Sequence, residues 1–234
     1  MFIKFLVLFF LSCVLNIEKE PDKVLIEVQD IEKIKSKGLN TSIKSSVKIS
    51  VYSEDTEVGS GSGNYFFYKR KKFIITAAHV VDQSLSDENV FYARERFGSD
   101  MILCEVVFID TANDVAIIMP KRELITVTPV KYRPSFHVDI GDDIYHAGYP
   151  AGLDLYTTKG RIASIHANAY ILQSLAWMGA SGSVVFDKKG KVVGVLSALK
   201  VGATPLGGKI LENIVFVSPV KFLDNYIKKS LLKK

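Results

Sequence analysis

From residue 46 onward the apolar positions come in short runs of three to seven residues, rich in β-branched and aromatic side chains and separated by Gly, Asn, Asp and Ser. Such runs are too short for helices and predict strands between turns. Val47–Tyr52, Tyr65–Tyr68, Phe73–Thr76, Val90–Ala93, Leu103–Ile109 and Val115–Met119 come first. A proline-bearing stretch, Pro120 to Pro134, interrupts the pattern. Ile144–His146, Leu155–Thr158, Ile162–Ile165, Tyr170–Gln173, Val184–Phe186, Val192–Leu196 and Ile214–Val217 follow it. Six runs before the gap and seven after it predict an all-β chain built from two β units of similar size. At the end the period changes. Ser218 and Pro219 read as an N-cap and a first helical residue. Val220, Leu223, Tyr226, Ile227 and Leu231 then recur at helical spacing, which predicts a helix packed on the β body.

The N-terminal residues 1–17 differ in kind. One Lys precedes a continuous run of about ten apolar residues, the layout of a secretory signal peptide. The run is short for a transmembrane helix. Removal by a peptidase and retention as a membrane anchor both fit. Leu11-Ser12-Cys13 also has a faint likeness to a bacterial lipoprotein signal. Residues 18–45 are charged and lack a steady apolar period, so they read as a linker or an arm packed on the domain, with a helical turn or two between Ile26 and Ile34.

Composition narrows the picture. The chain has 234 residues, 48% of them hydrophobic and 24% charged, which suits a folded body with a sizeable core and excludes a disordered chain. The net charge is +5, much of it in Lys69-Arg70-Lys71-Lys72 and in Lys228, Lys229, Lys233 and Lys234. Neither cluster has aromatics interleaved as a base-stacking platform would, so both read as solvated segments and no nucleic-acid partner is expected. Cys13 and Cys104 are the two cysteines. With Cys13 in the N-terminal segment, the body holds a single thiol and no disulfide framework.

Three motifs carry candidate chemistry. In Gly179-Ala180-Ser181-Gly182-Ser183 a serine stands among small residues, where a tight turn can aim backbone N–H groups at a carbonyl oxygen that turns negative. The α/β-hydrolase elbow needs a Gly two places after the Ser, and Ser183 stands there. In Ile75-Thr76-Ala77-Ala78-His79 a strand ends in small residues and delivers a His at its tip, the placement a general base requires. In Asn113-Asp114-Val115-Ala116-Ile117-Ile118 an acid stands at the mouth of an apolar strand, where a carboxylate needs a partner. Orienting a His through its ring N–H would supply one. The order is His, Asp, Ser, with gaps of 35 (114 − 79) and 67 (181 − 114). His and Asp fall in the first β unit and Ser in the second.

These motifs resemble those of trypsin-like serine peptidases, and within them the HtrA-like branch. Gly59-Ser60-Gly61-Ser62-Gly63, as a turn ahead of the strand that leads to the His, adds to the likeness. So do Gly148-Tyr149-Pro150-Ala151-Gly152 and Gly190-Lys191-Val192-Val193-Gly194. The resemblance implies two six-stranded antiparallel β-barrels with a C-terminal helix. The protease domain would span about residues 46–225, with barrel one near 46–122, barrel two near 135–217, and a helix and Lys-rich tail at 218–234. It implies His79, Asp114 and Ser181 as a catalytic triad and the N–H groups of Gly179 and Ser181 as an oxyanion hole.

By the same resemblance Leu175, Ala176, Trp177 and Ser197 belong to the pocket for the residue before the cut. No acid stands among them, so an apolar residue is expected there. Polypeptides are the implied substrates and no cofactor is implied; with its signal-like segment the protein is expected outside the cytoplasm, secreted or membrane-anchored, in a bacterial periplasm or cell envelope. No metal is expected either, since His137, His146 and His166 lack ligand spacing. No PDZ-type module is expected after the protease unit. One departure stands out: Ser183 and Val184 occupy places where the family has Gly then Pro. The N–H groups of the hole lie upstream of them, so activity is expected to survive. The alternative is a protease-fold binding protein without activity.

Overall fold

The computed structural model describes residues 36–82, 89–95, 100–204 and 207–231, of which 198–204 and 207–212 are described by their backbone alone. The signal-like segment, Ile26–Ile34, Cys13, Lys233 and Lys234 lie outside the described residues.

The first β unit starts where the alternation of Val47, Ile49 and Val51 begins. Their side chains point inward and are buried. Strands β1 (Ser46–Ser53), β2 (Thr56–Tyr68), β3 (Lys71–Thr76), β4 (Asn89–Arg94), β5 (Met101–Asp110) and β6 (Val115–Pro120) pair in the order β1-β4-β5-β6-β3-β2. Pairing of β2 with β1 closes the barrel. Closure leaves no free edge among these strands. Within the proline-bearing stretch a two-residue strand, β7 (Val130–Lys131), lies parallel to β2.

The second unit contains β8 (Asp143–Gly148), β9 (Tyr156–Ile165), β10 (Tyr170–Gln173), β11 (Val184–Asp187), β12 (Val192–Thr204) and β13 (Gly207–Pro219). They form a second closed antiparallel barrel in the order β10-β13-β12-β11-β8-β9. The count is six, against seven runs in the sequence. Leu155–Thr158 and Ile162–Ile165 are not two strands, because β9 runs through Gly160, which pairs with Ile144. A Cβ at Gly160 would stand 2.6 Å from the Gln173 carbonyl oxygen, so this glycine allows a close crossing of chains and makes no turn.

The same correction applies to Gly59-Ser60-Gly61-Ser62-Gly63, expected as a turn. All five lie inside β2, paired with residues 47–51 of β1. The C-terminal helix also starts later than its cap signal suggests. Ser218 and Pro219 still belong to β13, opposite Val195 and Gly194 of β12. The ladder bonds to β12 outweigh the local capping preference. A short helix follows at Lys221–Asn225, continued by a π-turn at Tyr226–Ser230. The apolar spacing holds, and Val220, Leu223, Ile227 and Leu231 are buried in an apolar cluster that takes residues from both barrels. Tyr226 stacks on Phe108 with centroids 4.5 Å apart.

The end of the N-terminal arm contributes an element that its polar pattern hid. Lys37–Ser45 form helix α1, with Ser36 as N-cap accepting from the Leu39 N–H at 3.3 Å. A Cβ at Gly38 would stand 2.3 Å from the Asp187 carbonyl oxygen, so α1 approaches β11 closely only because that residue is glycine. Buried Asn64 ties the parts together. Its amide donates to Ser42 O at 3.1 Å, and its oxygen accepts from the Val184 N–H at 2.9 Å. Cys104 is buried in barrel one, and burial pushes its thiol up to about 12, so it behaves as a small apolar side chain.

Candidate active site

His79 stands at the end of β3. The strand brings Phe73, Ile74 and Ile75 into the core, and the small Ala77 and Ala78 let the chain turn tightly at Ala78–Val80. The His side chain emerges about half exposed. Asp114 arrives from the turn between β5 and β6. Asp110 holds that turn, accepting from the Asn113 N–H at 3.0 Å and from its side-chain amide at 2.8 Å. Asp114 itself has φ of 49°, a left-handed conformation that Asp tolerates better than most residues.

The two side chains meet. His79 Nδ1 lies 3.0 and 2.9 Å from the two carboxylate oxygens of Asp114, and the His79 backbone N–H donates to Oδ1 at 2.9 Å. Ser197, on β12 of barrel two, donates its hydroxyl to Asp114 Oδ2. Ser197, expected among the residues of the substrate pocket, turns its hydroxyl to the acid. Nothing in its local sequence marks it, because the contact joins the two barrels across 83 residues. Partial burial alone would raise the Asp114 carboxyl pKa. The hydrogen bonds from the His79 ring, from Ser197 and from the His79 N–H outweigh burial and hold it below its ordinary value. Asp114 is therefore ionised at neutral pH.

Ser181 lies on the loop between β10 and β11. His79, Gly179 and Ser181 line one cleft, whose far wall comes from barrel one at Val51, Gly59 and Phe91. The loop is tight. Ala180 N–H donates to Trp177 O at 2.9 Å, Gly182 N–H to Leu196 O at 2.8 Å and Ser183 N–H to Ala180 O at 3.0 Å. Gly179 and Gly182 have φ of 92° and 88°. A Cβ at Gly182 would fall 2.1 Å from Ser62 O, so that position admits glycine alone. No hydrogen bond among the described residues uses the N–H groups of Gly179 or Ser181, the two proposed as oxyanion donors. Ser183 is fully buried beside Gly148, and its hydroxyl has no hydrogen-bond partner among the described residues.

Leu175, Ala176 and Trp177 line an apolar pocket together with Pro150, Leu153 and Tyr156. Ser197 is not among them. Of the remaining histidines, His146 is buried on β8 with Nε2 3.0 Å from the Ser174 hydroxyl, and burial pushes it down to about 4. His166 follows β9, with Nε2 3.1 Å from the Ser164 hydroxyl.

Residues 61–195 match the family described as trypsin-like peptidase domain. The serine protease HhoA of Synechocystis is 27% identical over 168 residues, which are 63% of this chain and 39% of that protein. An HtrA-like serine protease of Staphylococcus aureus is 25% identical over 209 residues, 80% of this chain and 25% of the relative. The chain thus spans well under half the length of these relatives. Among solved structures, a serine endoprotease from Yersinia pestis superposes with a TM-score of 0.64 at 19% identity, covering 82% of this chain and 64% of that one. A protease from M. tuberculosis, in its active form, gives 0.64 at 22% identity, covering 84% and 85%. At these identities the structural likeness is one of fold.

Proposed function

The chain belongs to the trypsin-like peptidase domain family, and from that premise we propose that it is a serine endopeptidase acting through Ser181, His79 and Asp114. The observation that carries the reading is the Asp114–His79 pair, built across two loops, whose His79 lines the same cleft as Ser181.

In this reading Ser181 Oγ attacks a peptide carbonyl carbon. The hydroxyl proton passes to His79 Nε2, a C–O bond forms, and the carbonyl π pair becomes an oxyanion. The N–H groups of Gly179 and Ser181 receive that charge, a donor pair of which each member is worth about 10²–10³ in rate. Asp114 accepts from Nδ1–H, fixes the tautomer and offsets the imidazolium charge. Collapse of the tetrahedral species breaks the C–N bond, and His79 gives its proton to the leaving amine. Water repeats the sequence on the acyl-enzyme. The pocket of Leu175, Ala176 and Trp177 supports an apolar residue before the cut. The signal-like N-terminus supports action outside the cytoplasm on polypeptide substrates.

A fluorophosphonate probe tests the assignment, because it captures only a serine activated by a working base. Full-length wild type is expected to label, and Ser181→Ala and His79→Ala are expected not to. A folded wild type that stays unlabelled would favour the inactive binding protein, for which the exchange at Ser183 and Val184 is the motive.

A further inference from the structure

The nucleophile loop belongs to barrel two, yet a residue of barrel one holds it at two points. Ser62 lies in the middle of β2 and is fully buried. Its N–H donates to Ser181 O at 2.8 Å. Its hydroxyl donates to Gly179 O at 2.7 Å. The same oxygen accepts from the Tyr149 N–H at 2.9 Å, and Ser62 O accepts from the Thr76 hydroxyl at 2.8 Å. A serine hydroxyl has one proton. With Tyr149 N–H occupying a lone pair, that proton is directed to Gly179.

Gly179 needs such a restraint. It has no Cβ, and its φ of 92° lies where glycine moves most freely. Its N–H serves as an oxyanion donor only if the peptide planes on both sides of its Cα are fixed. The preceding plane is held through Met178 O, which accepts from the Ala151 N–H at 2.6 Å. The following plane is held through Gly179 O, by Ser62. Gly148 keeps the space open, since a Cβ there would stand 2.7 Å from Ser62 Oγ.

We propose that Ser62 is a positioning residue for the oxyanion hole, its hydroxyl locking the Gly179–Ala180 peptide so that the Gly179 N–H faces the developing negative charge. The inference rests on the reading of Ser181 as nucleophile. Ser62 touches neither substrate nor the reacting atoms, so the effect is a loss of transition-state stabilisation with substrate binding retained.

The test uses full-length Ser62→Ala and Ser62→Cys beside wild type and Ser181→Ala. Kinetics on a peptide substrate are compared with the affinity of a peptide boronic acid, whose tetrahedral adduct places an oxygen in the hole. Loss of one well-aimed donor predicts a fall in kcat of about 10²-fold in Ser62→Ala, with KM within about twofold. Boronate affinity should fall in parallel, and the acid limb of the pH–rate profile should stay in place, because the His79–Asp114 pair is untouched. Ser62→Cys keeps the shape with a slightly larger atom but donates weakly, so it should lose most of the same activity. Full activity in the cysteine variant would make the role one of packing and overturn the proposal. So would a loss confined to KM, or a loss of kcat with boronate affinity intact. If Ser62→Ala fails to fold, Ser62→Cys decides alone. An inert wild type would instead sink the reading of Ser181, while an active wild type with a fully active Ser62→Ala sinks only the role of Ser62.

Discussion

Burial of His146 makes stability depend on pH. The ring is 3% exposed on β8 inside barrel two, with one polar contact to Ser174, and its pKa falls from 6.5 to about 4. The folded state therefore binds fewer protons than the unfolded state between those values. Stability is complete above pH 6.5 and declines as pH falls, until about pH 4, where both states are protonated. A shift of about 2.5 units at 1.36 kcal/mol each amounts to about 3 kcal/mol, a large part of the 5–15 kcal/mol typical of a domain. Urea unfolding at half-unit intervals from pH 7 to pH 4 measures it, on wild type and on His146→Gln. Acidic groups elsewhere affect both proteins alike and cancel in the difference. The variant is expected to be less stable at pH 7 but to lose about 3 kcal/mol less on acidification. Parallel curves for the two proteins would refute the reasoning, and would mean that the ring reaches solvent or a second partner.

Three further outcomes are expected. Ser197→Ala removes a charge-assisted hydrogen bond from Asp114, so kcat should drop about tenfold with KM little changed, read from steady-state hydrolysis of a peptide; an unchanged kcat would make the contact incidental. Gly182→Ala puts a methyl 2.1 Å from a backbone oxygen at a φ of 88°, and should cost about 3 kcal/mol or more in urea unfolding together with loss of fluorophosphonate labelling. A peptide library should be cut mainly after Phe, Leu or Met, because the pocket at Leu175, Ala176 and Trp177 offers apolar surface worth about 25 cal/mol per Å² and no acid; cuts mainly after Lys or Arg would overturn this.

Much was legible from the chain alone because it is written in local periods. Short β-branched and aromatic runs between turn residues placed the strands of both barrels, since such side chains suit a pleated, half-buried surface. Small residues beside His79 and around Ser181 marked tight turns where reactive side chains can emerge, and their order along the chain suggested that the halves meet. Local pattern failed where a distant partner decided the outcome. Gly160 and the glycines of β2 look like turn formers, yet pairing with β8 and β1 keeps them in strands; a Cβ at Gly160 would meet the Gln173 carbonyl, and one at Gly61 or Gly63 the side chain of Val80 or Ile74. Ser218 looks like a cap but stays in the ladder with β12. Helix α1 has too few apolar residues to announce itself, and buries Gly38, Ser42 and Ser45 beside Ile43.

The sequence by itself determined the two β units and the small-residue motifs around His79, Asp114 and Ser181, because each depends on near neighbours. Only the tertiary structure decided which hydroxyls serve them. Ser197 reaches Asp114 across 83 residues and Ser62 reaches Gly179 across 117, and a serine in a strand carries no sign of its partner until closure of the barrels brings the two together.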